Sequence, residues 1–156
     1  MAKLSNTTGI FSGDTAVIDT IQKHKFGTRA FDVDSNEYIY LTGCATTVLG
    51  SWVTFDEAGL TTLLAGTSVG PVAVAMAILD STSEYGWYCI YGECEADFSA
   101  TVTDNTAIGY ETAAGHAGDG HAGGDQIYGA VIRDTVTGAT TATAQLNYPF
   151  VDDNSN

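Results

Sequence analysis

The chain has 156 residues, 19 of them acidic and 5 basic, for a formal net charge of −14. That length makes one domain with its own core. The charge repels phosphate backbones and anionic headgroups, which counts against nucleic acid and membrane as partners; no apolar stretch reaches the ~20 residues of a membrane span. The hydrophobic share is 44%, with 14 Phe and Tyr and two Trp. Thr, Val, Ile and Tyr outweigh good helix formers other than Ala, so the composition predicts an all-β fold.

The opening "MAKLSNTTGIFSGD" lacks the apolar core of a signal peptide, which predicts synthesis in a cytoplasm. Residues 1–26 read as an N-terminal arm. Within it "AVIDTIQ" spaces Val17, Ile18 and Ile21 almost as a helix does, so this patch is either extended or a short capping helix. The arm ends in "QKHKFGTRAF", where Lys23, Lys25 and Arg29 gather three of the five basic residues around His24 and Phe26. Such a patch is a candidate docking surface for an acidic partner, with Phe26 as anchor. The alternative is that these cations neutralise the protein's own carboxylates.

From Gly27 the texture becomes short alternating runs broken by Gly, Asn, Asp and Ser, which predicts strands and turns to about residue 150. In "NEYIYLTG", Tyr38 and Tyr40 share one face, Ile39 and Leu41 the other. "SWVTF" and "LTTLL" are predicted strands joined by "DEAG", with Gly59 free to take a positive φ, and the run reads as a meander. "PVAVAMAIL" places Val72, Val74, Met76 and Ile78 opposite Ala73, Ala75 and Ala77. That alternation favours a strand over a helix, with Pro71 at its opening.

"EYGWYCIYGECEADFSA" is the predicted core strand. Trp87, Cys89 and Tyr91 point one way and Tyr88 and Ile90 the other, a pattern fitting a strand buried on both faces or at the centre of a small barrel. Trp87, Tyr88, Ile90 and Tyr91 are its core candidates. Cys89 and Cys94 are an odd number of positions apart and face opposite sides of an unbroken strand, unless Gly92 bulges it. With Cys44 they make three cysteines and no CxxC pair, which predicts thiols and leaves one disulfide open. "DQIYGAVIRD" and "ATTATAQLNYPF" form a closing hairpin across "TVTG". Ala142, Ala144, Leu146 and Tyr148 lie on one face, and Thr141, Thr143, Gln145 and Asn147 on the other. Residues 151–156 are a polar tail.

Chemistry has few footholds. "GHAGDGHAGGD", residues 115–125, offers His116, His121, Asp119 and Asp125 as metal-ligand types. Five glycines among eleven residues make ordering them around an ion costly, at roughly 1–2 kcal/mol of backbone entropy per residue, and the spacing fits neither HExxH nor a calcium loop. The run is therefore predicted to be a surface loop. Asp32 with Asp34, Asp56 with Glu57 and Asp152 with Asp153 read as turn residues, not acid–base pairs. No GxSxG, phosphate loop or dinucleotide motif occurs, and Cys44 has no neighbouring base in sequence. No enzyme activity, cofactor, catalytic residue or metal is predicted.

Taken in order, "FGTRAFDVDSNEYIYLTG", "GSWVTFDEAG", "GPVAVAMAIL", "EYGWYCIYG", "DQIYGAVIRD" and "AQLNYPFVDD" resemble the head decoration, or capsid cement, proteins of tailed bacteriophages, from Phe26 to Asp153. The resemblance implies a single β-barrel or β-tulip domain with an N-terminal arm, placed on the exterior of the virion capsid. It implies the major capsid protein as partner, homotrimers or dimers on the shell, and no catalytic residues. A second reading is a tail or fibre module that binds host carbohydrate through exposed aromatics such as Trp52 or Tyr128.

Overall fold

A computed structural model describes residues 3–5, 12–99, 101–111, 113–119 and 126–152. It is all-β, with twelve strands in one sheet and no helix among the described residues. In chain order these are β1 (Lys3–Ser5), β2 (Ser12–Asp14), β3 (Arg29–Phe31), β4 (Glu37–Thr42), β5 (Trp52–Phe55), β6 (Thr61–Leu63), β7 (Gly70–Ala75), β8 (Tyr85–Phe98), β9 (Ala107–Tyr110), β10 (Ala117–Gly118), β11 (Gln126–Ile132) and β12 (Thr140–Val151). The sheet runs β2-β1-β3-β4-β8-β10-β9-β11-β12-β7-β5-β6, and β8 pairs with β12 and β7 as well. Pairing from β8 through β10, β9, β11 and β12 therefore returns to β8.

The strand alternation read from the sequence holds where the sheet is regular. Tyr38 and Tyr40 enter one buried cluster with Trp52, Val72, Val74, Trp87, Phe98 and the inward residues of β12, while Ile39 and Leu41 enter a second with Val53, Ala73, Ala75, Tyr88 and Ile90. The sheet segment formed by β4, β5, β7 and β8 is thus buried on both faces, which explains its near-continuous apolar runs. Gly59 has φ 79° in the β5–β6 turn. The expected meander is rearranged, because β7 pairs with β5 and not with β6. This puts Val74 opposite Trp52 and buries both, whereas β6, with only three residues, stays at the edge. β7 ends at Ala75, so Ile78 is exposed and Leu79 is buried in its place.

One break in the alternation shapes the centre of the molecule. Gly92 has φ 92°, a left-handed conformation that kinks β8. Before it Trp87 and Cys89 face the first cluster; after it Cys94, Ala96 and Phe98 do. Cys89 and Cys94 therefore meet in one core as free thiols. Tyr91, predicted as core, is turned outward and is 40% exposed. A matching break lies in β12: Tyr148 adopts φ 49°, and the β11–β12 register shifts between Tyr128 and Ala130. Tyr148 thus leaves the inward row of Ala142, Ala144 and Leu146 and stands exposed.

Residues 15–28 run through turns and bends with a single bridge at Asp19, and "AVIDTIQ" forms no helix. Asp19 forms a β-bridge with Tyr85, and its Oδ2 accepts a 2.8 Å hydrogen bond from the Tyr40 hydroxyl. His24 packs edge-on to Tyr40 with ring centroids 4.9 Å apart and tilted against Trp87 at 5.4 Å. Residues 19–26 are held against the body by these contacts.

Candidate functional site

The basic segment is partly self-neutralised. Lys23 Nζ lies 2.6 Å from Oδ1 of the buried Asp19, although its own side chain remains 63% exposed. Arg29 donates to Glu37 Oε1 at 2.7 Å. Lys25 is exposed and has no ion-pair partner among the described residues. Phe26 is half-buried, 5.9 Å from the Tyr85 ring, and a Cβ on Gly59 would come within 2.6 Å of it. Phe26 is therefore built into the body. The exposed apolar residues of this segment are Val17, Ile18 and Ile21, the last 77% exposed.

Next to it lies a cluster that composition and periodicity did not reveal. The buried Glu37 carboxylate accepts from Arg29 on Oε1 and from the Tyr148 hydroxyl, at 2.6 Å, on Oε2. The Arg29 guanidinium carbon sits 5.6 Å above the Tyr148 ring, and Tyr91 packs on Tyr148 with centroids 5.3 Å apart. The carboxylate is stabilised by these charge-assisted bonds, and the Tyr148 phenol is pushed above its ordinary range by donating to Glu37. Only the two kinks bring Tyr91 and Tyr148 to one face. The one hint in the sequence is the Pro that follows Tyr148, which interrupts the donor ladder of a strand.

Beside Tyr91 a groove of about 400 Å³ runs over the outer face of β12. Tyr91, Gly92, Gly129 and Val131 border it, with Gln145, Leu146 and Asn147 below. Trp52, one of the aromatics expected at a sugar-binding surface, is fully buried and donates from Nε1 to the Asp97 carbonyl at 3.0 Å. Tyr128 is exposed and pairs across strands with Phe150.

The carboxylate pairs organise loops. Asp32 Oδ1 accepts from the backbone N–H of Asp34 and of Asn36, and Oδ2 accepts from the Asn36 amide and the Tyr38 hydroxyl, all within 2.8–2.9 Å. Asp56 Oδ1 accepts from the N–H of Ala58 and of Leu60. Asp153 lies outside the described residues.

His121 and Asp125 also lie outside them. The start of that run is not the surface loop expected from its glycines. Gly115 is buried, accepts from Trp52 N–H at 2.8 Å and donates to the Leu64 carbonyl at 2.9 Å. Its φ of 80° and the Leu63 methyl 2.9 Å from where a Cβ would stand explain the need for glycine. Ala117 and Gly118 form β10, wedged between β8 and β9. Asp97 is pushed above the ordinary carboxylate range by burial, and the nearby His116 opposes this. Among the described residues no three His, Cys, Asp or Glu side chains cluster closely enough to hold a metal ion.

The buried Cys94 offers little nucleophilic chemistry. Burial and a hydrogen bond to Cys89 push the Cys94 thiol well above its usual range, the hydrogen bond having the larger effect. Cys44 is half-buried against the Thr47 hydroxyl at 3.0 Å. A protonated thiol is a poor nucleophile.

Comparison of the chain with protein-family models, with curated proteins and with solved structures returns no match.

Proposed function

We propose that this is a structural virion protein that binds the outer surface of a phage capsid and stabilises the expanded head. The observation that carries this reading is the exposed strip of chain from residue 17 to 25, where Val17, Ile18, Ile21, Lys23 and Lys25 are each exposed. It sets exposed apolar and cationic side chains together on a chain of net charge −14. Apolar contact supplies affinity for a partner surface, and the cations select an acidic one and orient it. Ile21, standing clear of the body, takes the place of Phe26 as anchor. Arg29, tied to Glu37, shapes the rim.

The pairing circuit through β8, β10, β9, β11 and β12 supports a barrel-like body, a stiff support for such a strip. The action is mechanical and involves no cofactor or chemical step. Each contact contributes little, and homotrimers presenting three strips to neighbouring major capsid protein subunits multiply it through effective concentration.

The test uses surface substitutions, since deleting residues 1–29 would strip Tyr40, Trp87 and Tyr85 of their cover. Co-sedimentation with purified expanded heads should show binding by the wild type and its loss in the double variant Ile21→Asp, Lys25→Glu, with unfolding unchanged. Undiminished decoration by that variant refutes the docking strip. A wild type that fails to bind heads refutes the capsid role. Sedimentation equilibrium tests the trimer.

A further inference from the structure

We propose that the groove over β12 is a binding site for a neutral saccharide. A pyranose has two kinds of surface, an apolar face of C–H groups and a rim of hydroxyls that both donate and accept. A site for it therefore needs an aromatic wall beside planar polar groups.

The groove supplies both. Tyr91, a residue 40% exposed, stands at its edge with its ring braced by Tyr148, so the stacking surface is fixed before a ligand arrives. Gln145 and Asn147, two residues apart on the outward face of β12, present amides along the floor. Arg133 donates to Gln145 Oε1 from Nε at 2.8 Å and also from Nη2, which orients this amide with its Nε2 as the remaining donor. The Asn147 amide and the Tyr91 hydroxyl have no hydrogen-bond partner among the described residues. The volume, about 400 Å³, is within the ~300–1,000 Å³ usual for small-ligand sites.

Charge narrows the ligand class. A net charge of −14 opposes sialic or uronic acids; among the described residues no cationic side chain lines the groove, and the nearby Arg133 is engaged by Gln145. The groove shares no lining residue with the docking strip.

The test is NMR titration of the full chain with methyl α-D-glucopyranoside, methyl α-D-mannopyranoside and N-acetylglucosamine, with N-acetylneuraminic acid as the anionic probe. At least one neutral sugar should give saturable shifts centred on β12. Tyr91→Ala and Asn147→Ala should each weaken binding about tenfold, corresponding to the ~1.4 kcal/mol of one lost stacking or hydrogen-bonding contact. Tyr91→Phe, which keeps the ring, should bind within a few fold of the wild type. Asn147→Ala alters an exposed side chain, so its loss of binding should come with unchanged unfolding. No saturable shift with any neutral sugar overturns the proposal, as does binding indifferent to Tyr91→Ala and Asn147→Ala, or tighter binding of the acid. Capsid binding is measured separately, so either idea can fail without the other.

Discussion

Replacing Gly92 with Ala should destabilise the protein more than any exposed-loop substitution, for reasons that can be separated. A left-handed φ of 92° in an L-residue costs roughly 1–2 kcal/mol. The new Cβ would also stand 2.0 Å from Asn36 Oδ1 and 2.9 Å from its Cα. Asn36 cannot swing aside freely, because Asp32 accepts from both its backbone N–H and its amide, and its Oδ1 accepts from Glu93 N–H at 2.9 Å. Losing that last bond costs about 1 kcal/mol, and overpacking against held backbone adds roughly 1–3 kcal/mol. The expected total is about 4 kcal/mol, which in a chain of this size lowers Tm by about 8–16 °C. The reference variant is Gly138→Ala, with φ 81° but nothing within 4 Å of its Cβ; it should lose only the conformational part, about 1 kcal/mol. Thermal and urea unfolding followed by near-ultraviolet circular dichroism compares the two. Equal losses would refute the collision argument and with it the view that Gly92 holds β8 at its kink.

Tyr38→Phe removes a buried 2.9 Å hydrogen bond to the Asp32 carboxylate, and losing this bond to a charged acceptor should lower stability by about 1.5–3 kcal/mol in urea unfolding. Tyr40 is pushed up to about 12, mainly by burial and further by Asp19, while the Lys23 backbone opposes this; burial also raises Tyr38 and Tyr88. With folded-state values above the free phenol's ~10, these groups contribute stability that is fully present below pH ~10 and lost as pH rises above it. Absorbance at 295 nm should therefore show their ionisation coinciding with alkaline unfolding, and an earlier reversible titration of all three would count against it. Cys89 and Cys94 should resist a thiol-specific disulfide reagent in the native state and react in denaturant, with Cys44 the first to react; rapid native labelling of Cys94 would contradict its burial.

The all-β class and most strand faces were legible in the chain because a pleated strand buried against a core writes its period of two directly into the residues. Tyr38/Tyr40 against Ile39/Leu41, and the Val and Ala faces of β7, are read correctly without coordinates for that reason. The run Ala142–Leu146 follows the same rule. Partnering was not legible in this way: β7 with β5, and β8 with four different strands, are choices among apolar strands that look alike locally.

The candidate sites divide along the same line. Lys23, Lys25 and Arg29 were visible as a basic cluster, since proximity in sequence survives folding; that Asp19 and Glu37 would engage two of them was not. The groove and the Tyr91–Tyr148 pair depend on single backbone conformations at Gly92 and Tyr148 that reverse which side of the strand faces out. Local pattern determined that this chain forms strands and which residues each buries while straight. Tertiary structure alone decided where those strands kink and which carboxylates meet which cations, because a left-handed residue and a buried ion pair are stabilised by neighbours distant in sequence.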